Sequence, residues 1–105
     1  MFGLKDSDLN QIRKVLQQFP EVEEAFIYGS RAIGNYRKGS DVDLALKGLQ
    51  LNRDVVSRIV FILNEETLLP YFFDVLNYHT LTNQDLVDHI DRMGNLLYER
   101  SSVKK

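Results

Sequence analysis

A single α/β domain of the α+β kind, with a small mixed sheet of three to four strands covered by helices, is expected from three features of these 105 residues. Apolar residues recur at helical spacing in three segments. Three short runs between them have strand-like patterning, the first halting at Gly29-Ser30 and the third following Pro70. The segments follow one another as α-β-loop-β-α-β-α, the order of one sheet covered by helices.

The first segment, Ser7 to Phe19, places Leu9, Ile12, Leu16 and Phe19 on one helical face, with Ser7 as N-cap and Pro20 as the stop. Val22 to Tyr28 follows as a buried strand ending in Ala25-Phe26-Ile27-Tyr28. Arg31 to Ser40, with Gly34, Asn35 and Gly39 among polar residues, reads as a loop that includes at most one helical turn after Ser30. Asp41 to Lys47 alternates, with Val42, Leu44 and Leu46 on one face and Asp41, Asp43 and Ala45 on the other, as in a half-buried strand.

Asn52 is the expected cap of a helix running to Asn64 or beyond, whose broad apolar face includes Val55, Ile59 and Leu63. Tyr71 to Leu76 reads as a third strand with Asp74 at its centre. Thr82 to Met93 is a final helix, apolar at Leu86, Ile90 and Met93 and broken by Gly94. Leu96-Leu97-Tyr98 fits a last helical turn or a short edge strand equally well. Residues 1–100 are expected to form the domain and 101–105 a flexible tail.

Composition restricts the function. A hydrophobic share of 44% and a charged share of 27% predict a packed core. The absence of cysteine removes disulfides, thiolate nucleophiles and zinc–thiolate sites, and is compatible with a reducing compartment. No basic segment precedes an apolar run near Met1, and no run approaches the ~20 residues of a membrane span, so a cytoplasmic location is expected, with no membrane. A net charge of −2 gives no general attraction to nucleic acid, so no direct nucleic-acid binding is expected.

The chemistry concentrates in one stretch. Asp41 and Asp43, one residue apart on a strand, point to the same face. Held that close they repel unless protonated or neutralised, and magnesium is the natural neutralising ion in a phosphate site. Asp74 lies in a strand where a bare carboxylate is costly to bury. If its strand lies beside the second, it joins the pair, making three carboxylates for a two-metal site. Gly29-Ser30, at a sharp strand exit, offers backbone N–H groups and a hydroxyl to phosphate oxygens, and Arg31 can add a charge-assisted bond. Gly29, Ser30, Arg31 and Ser40 are therefore the nucleotide-binding candidates, and Asp41, Asp43 and Asp74 the catalytic and metal-binding ones.

Through GSRAIGNYRKGSDVDLAL, Gly29 to Leu46, the sequence resembles the minimal nucleotidyltransferases (MNT) of the polymerase-beta-like superfamily. The resemblance implies that fold, a serine at Ser30 contacting nucleotide phosphate, magnesium on Asp41 and Asp43, and Asp74 as base toward the incoming hydroxyl. It also implies pairing with a small helical HEPN-domain protein, as antitoxin to an RNA-cleaving toxin, with AMP from ATP transferred to a tyrosine of that partner. A chain this short leaves little material for an acceptor pocket, which likewise points to a hetero-oligomer. The alternatives are a non-catalytic module that binds nucleotide or partner, and a small-molecule nucleotidyltransferase of the antibiotic-modifying kind. His79 and His89 lack metal-site spacing and receive no role. Tyr36 reads as a base-stacking or a plain surface residue, and Arg37 and Lys38 as nucleotide-steering or as a solvated basic turn.

Overall fold

The computed structural model describes residues 1–37 and 39–100; the tail expected at 101–105 and the steering role considered for Lys38 fall outside the described residues. The elements are α1 (Asp6–Gln17), β1 (Glu24–Tyr28), β2 (Val42–Lys47), α2 (Arg53–Phe61), β3 (Phe73–Asn77), α3 (Gln84–Met93) and β4 (Asn95–Glu99). A 3-10 turn, Gly29–Arg31, follows β1, a π turn, Ile62–Glu66, extends α2, and a second 3-10 turn, Tyr78–Thr80, follows β3.

One four-stranded sheet has the order β3-β2-β1-β4. β1 runs antiparallel to β2 and β4, while β2 and β3 are parallel, so the sheet is mixed as expected. Parallel neighbours need a crossover connection, and α2 supplies it. The ambiguous Leu96-Leu97-Tyr98 resolves as edge strand β4, because hydrogen bonding along β1 gives this short apolar run a partner.

Several boundaries differ from expectation. Helix α1 starts at Asp6 with Lys5 as N-cap, leaving Ser7 inside its first turn. The Asp8 carboxylate decides this: it reaches back to accept the Lys5 N–H (3.3 Å) and also accepts the Tyr71 hydroxyl (2.8 Å). That second bond pushes up the Tyr71 phenol pKa. The helix is over by Gln17, short of Pro20. α3 starts at Gln84, two residues later than expected, because the Asn83 side chain caps it by accepting the Leu86 N–H (3.2 Å). Asn52 caps α2 as expected, accepting the Val55 N–H at 2.9 Å.

The main core fills the face covered by α1 and α2. Ile12, Leu16, Ile59 and Leu63 meet Ile27, Val42, Leu44, Leu46 and Phe73, all at or near zero exposure. The opposite face is covered in part by α3, whose Ile90 packs with Tyr28 and Ala45. Ala45, expected on a solvated face, is thus fully buried. Met93, expected on the packed side of the helix, is about half exposed. α3 therefore covers one half of this face and leaves the end with Asp41 and Asp43 open.

The start of the outer edge of β3 is capped by one side chain. Asn64 accepts the Phe73 N–H (2.8 Å) and donates to the Phe73 carbonyl (3.0 Å), imitating the backbone of a further strand. An unpaired strand edge is a template for unwanted association. Asn64→Ala is expected to lower unfolding free energy by about 1–3 kcal/mol, since two backbone groups lose their partners. Urea titration measures it, and an unchanged midpoint would refute the capping role.

Candidate active site

The sheet register gathers the chemistry. Tyr28, the last residue of β1, lies opposite Asp43, and Asp43 lies opposite Asp74 on the other side. Residues paired across strands share a face. Tyr28, Asp43 and Asp74 therefore form one row on the α3 side of the sheet, running from Tyr28 under α3 to exposed Asp74. Asp41 is exposed and immediately precedes β2.

Electrostatics show how crowded that row is. The Asp43 carboxyl is pushed above the ordinary carboxylate range by burial, then by the charges of Asp74 and Asp41, with Arg31 and His89 opposing. Tyr28 is nearly buried, and burial with Asp43 and Asp74 pushes its phenol well above the ordinary range, so it stays neutral. Asp74 itself is exposed, which corrects the expectation of a buried carboxylate. The strand alternates, so Asp74 faces open solvent while Phe73 and Val75 enter the core.

Among the described residues, no three acidic or histidine side chains are gathered tightly enough to form a ready metal cage. The expected three-carboxylate metal cluster is therefore not preformed: the fold puts three like charges on one face without drawing them to one point. Their chemistry still fits a hard divalent cation. They offer only oxygen donors, and a dication would relieve the repulsion by Asp74 and Asp41 that adds to burial in raising Asp43.

The turn beside this row begins at Gly29, with φ +75°. A Cβ there would collide with Oδ2 of Asp43, so the turn and the carboxylate fit only around a glycine. The Gly29 N–H does not point to an open phosphate site, as its position in the motif suggested; it donates to Nε2 of His89 at 3.0 Å. The Ser30 and Arg31 amides open the 3-10 segment and, among the described residues, make no hydrogen bond outside it. The loop beyond is tied back by the Asn35 N–H, which donates to the Ser30 carbonyl (2.9 Å).

Arg31 is a correction. Expected to grip phosphate, it is 3% exposed and turned inward. Its Nε and Nη2 donate to the Ser40 carbonyl (3.1 and 2.8 Å), and its Nη1 to the Phe2 carbonyl (2.8 Å). The guanidinium also lies between the rings of Tyr36 and Tyr71, 5.2 and 5.0 Å from their centroids. Burying a guanidinium is costly unless its donors are paired, and here the Ser40 and Phe2 carbonyls accept from it. The Ser40 hydroxyl accepts the Arg37 N–H (2.8 Å) and closes a turn. Tyr36, left between two readings, stacks on Arg31.

His89 is the residue that sequence reasoning missed. It lies three residues after Leu86 and one before Ile90, on the side of α3 that meets the sheet. A polar side chain there needs a partner, and this was the available signal. His79 likewise accepts a backbone N–H, from Gly48 (3.0 Å), away from the aspartate row.

A family model described as polymerase beta, nucleotidyltransferase, matches residues 10–103. No curated protein matches the chain. Among solved structures, a toxin–antitoxin with AMP-PNP aligns with TM-score 0.73 at 20% identity, over 89% of this chain and 74% of that one. The toxin–antitoxin MntA-HepT aligns with TM-score 0.69 at 17% identity, over 91% and 74%. The tri-AMPylated Shewanella oneidensis HEPN toxin in complex with MNT antitoxin aligns with TM-score 0.66 at 18% identity, over 88% and 70%. At these identities the likeness is one of fold.

Proposed function

The chain belongs to the polymerase beta nucleotidyltransferase family, and from that premise we propose that residues 1–100 act as one catalytic domain that transfers AMP from ATP to a tyrosine of a HEPN-type toxin, neutralising it as an antitoxin. The observation that carries this reading is the row Tyr28, Asp43 and Asp74 beside the Gly29–Arg31 turn. It puts carboxylates beside the backbone N–H groups of the turn at one end of the sheet. The fold neighbours add support: one is a toxin–antitoxin with AMP-PNP and another holds a tri-AMPylated HEPN toxin.

Asp41, Asp43 and Asp74 are the residues that would hold magnesium. When bound, the ion supplies charge neutralisation for the triphosphate and for the leaving pyrophosphate. The amides of Ser30 and Arg31 and the Ser30 hydroxyl orient the phosphates. Exposed Asp74 is placed to take the proton of the incoming tyrosine hydroxyl. The tyrosine oxygen then bonds to the α-phosphorus, the bond from that phosphorus to the β-phosphate oxygen breaks, and pyrophosphate leaves. Arg31 acts indirectly, holding the Ser40 carbonyl and so the approach to Asp41.

The acceptor comes from another molecule. A groove of about 790 Å³ on the α2 side is lined by Val60, Phe61, Leu69, Phe72 and others and does not include the aspartates. The test is incubation with α-labelled ATP, magnesium and a candidate HEPN protein. Label should appear on the partner with the native chain and vanish with Asp41→Asn/Asp43→Asn. An unlabelled partner, in a complex that still forms, would overturn the enzymatic reading. Neutralisation that survives in the double variant would favour the binding module, a reading supported by the apolar groove lying apart from the aspartates.

A further inference from the structure

We propose that His89 is a positioning residue for the nucleotide: by accepting the Gly29 N–H it holds the turn in the one orientation that turns the Ser30 and Arg31 amides toward phosphate. The proposal rests on the functional reading above.

The bond spans 60 positions of chain and joins α3 to the exit of β1 at 3.0 Å. Both ends are held. Ile90, the next residue of α3, is 2% exposed and packs on Tyr28 and Ala45. The imidazole stands edge-on to the Tyr28 ring, 6.1 Å between centroids and 74° between planes. Since Gly29 donates, Nε2 is the acceptor in this bond.

At Gly29 the chain leaves the ladder at positive φ, a conformation that neighbouring strands do not impose. A glycine there is free to rotate, and its N–H would itself attract an anion. With that N–H occupied by His89, the peptide plane is fixed, and the anion is directed to the next two amides. The same bond keeps Gly29 against Asp43, whose Oδ2 fills the space where a Cβ would sit. His89 thus couples the phosphate turn to the carboxylate row without touching substrate.

The test uses the full-length chain, native and with His89→Ala and His89→Gln. Amide hydrogen exchange at Gly29 is followed by NMR without ligand, and the Kd for AMP-PNP with magnesium is measured by calorimetry. His89→Ala should abolish the slow exchange of the Gly29 amide, leave that of Ile27 intact, and weaken AMP-PNP binding about tenfold, the effect of one lost hydrogen bond. His89→Gln, whose side-chain oxygen can accept the same N–H, should recover most of both. Unchanged affinity in His89→Ala would overturn the role. So would loss of protection at Ile27 with no rescue by glutamine, which would mark His89 as a packing residue only. If the native chain bound no AMP-PNP, the functional reading would fall and this role with it; native binding matched by His89→Ala would remove this role alone.

Discussion

Asp43→Asn is expected to reduce AMP transfer by about 1,000-fold while raising the thermal midpoint of the ligand-free protein at pH 7. The loss of activity follows from removing the central carboxylate of the row, and with it transition-state electrostatics commonly worth about 10²–10³ in rate. The gain in stability follows from the same crowding. Burial and the charges of Asp74 and Asp41 raise the Asp43 pKa in the folded protein above its ordinary value of 3.8. In the window between those two values the native state binds the proton more tightly than the unfolded chain does. Stability is therefore greatest below the ordinary value and is lost as pH rises through the raised one. At pH 7 the folded chain carries the whole penalty, and asparagine carries none.

The expected change is a rise in the midpoint. The difference between native and variant should shrink as pH falls toward the ordinary carboxylate value. Calorimetric melts across that range measure it, and a variant less stable at pH 7 would show that the charged carboxylate is favourably held in the fold. A site that costs stability in the ligand-free state and performs chemistry when loaded is the usual trade between the two.

Gly29→Ala should be strongly damaging to the transfer reaction. It meets two penalties at once: a positive φ of +75°, and a Cβ that collides with Oδ2 of Asp43. Left-handed backbone costs a non-glycine residue roughly 1–2 kcal/mol. The collision must additionally displace either the turn or the carboxylate, so a loss of at least about 100-fold in transfer is expected, as misplaced catalytic groups commonly cause. Gly34→Ala is the control, since its φ is +81° but nothing lies within 4 Å of a Cβ there. That variant should lose about 1 kcal/mol in urea titration and keep its activity. Equal losses of activity in the two variants would contradict the assignment of the Gly29 contact to Asp43.

The elements and the carboxylate pair are properties of short stretches of chain. A helix or strand shows its period within a dozen residues, and Asp41 and Asp43 need only the alternation of a strand to share a side. That is why the three helices, the first three strands and the Gly29-Ser30 to Asp43 stretch were legible. Element ends were less so, because side chains such as Asp8 and Asn83 compete locally to set the cap. The inward turn of the Arg31 side chain was not legible for a different reason. A guanidinium beside a glycine turn is equally able to bind an anion or backbone carbonyls, and only packing against Tyr36 and Tyr71 shows which.

By itself, then, the sequence determined the kind of fold, the family resemblance and the residues able to do the chemistry. Tertiary structure alone decided that β3 lies parallel to β2 with Asp74 opposite Asp43, that β4 forms an edge, that Asp74 is exposed and Arg31 buried, and that His89 holds Gly29. The physical reason is range. Periodicity and turn chemistry act between near neighbours, whereas register, burial and the Gly29–His89 bond arise when segments far apart in the chain pack against one another, and no local pattern encodes which segments will meet.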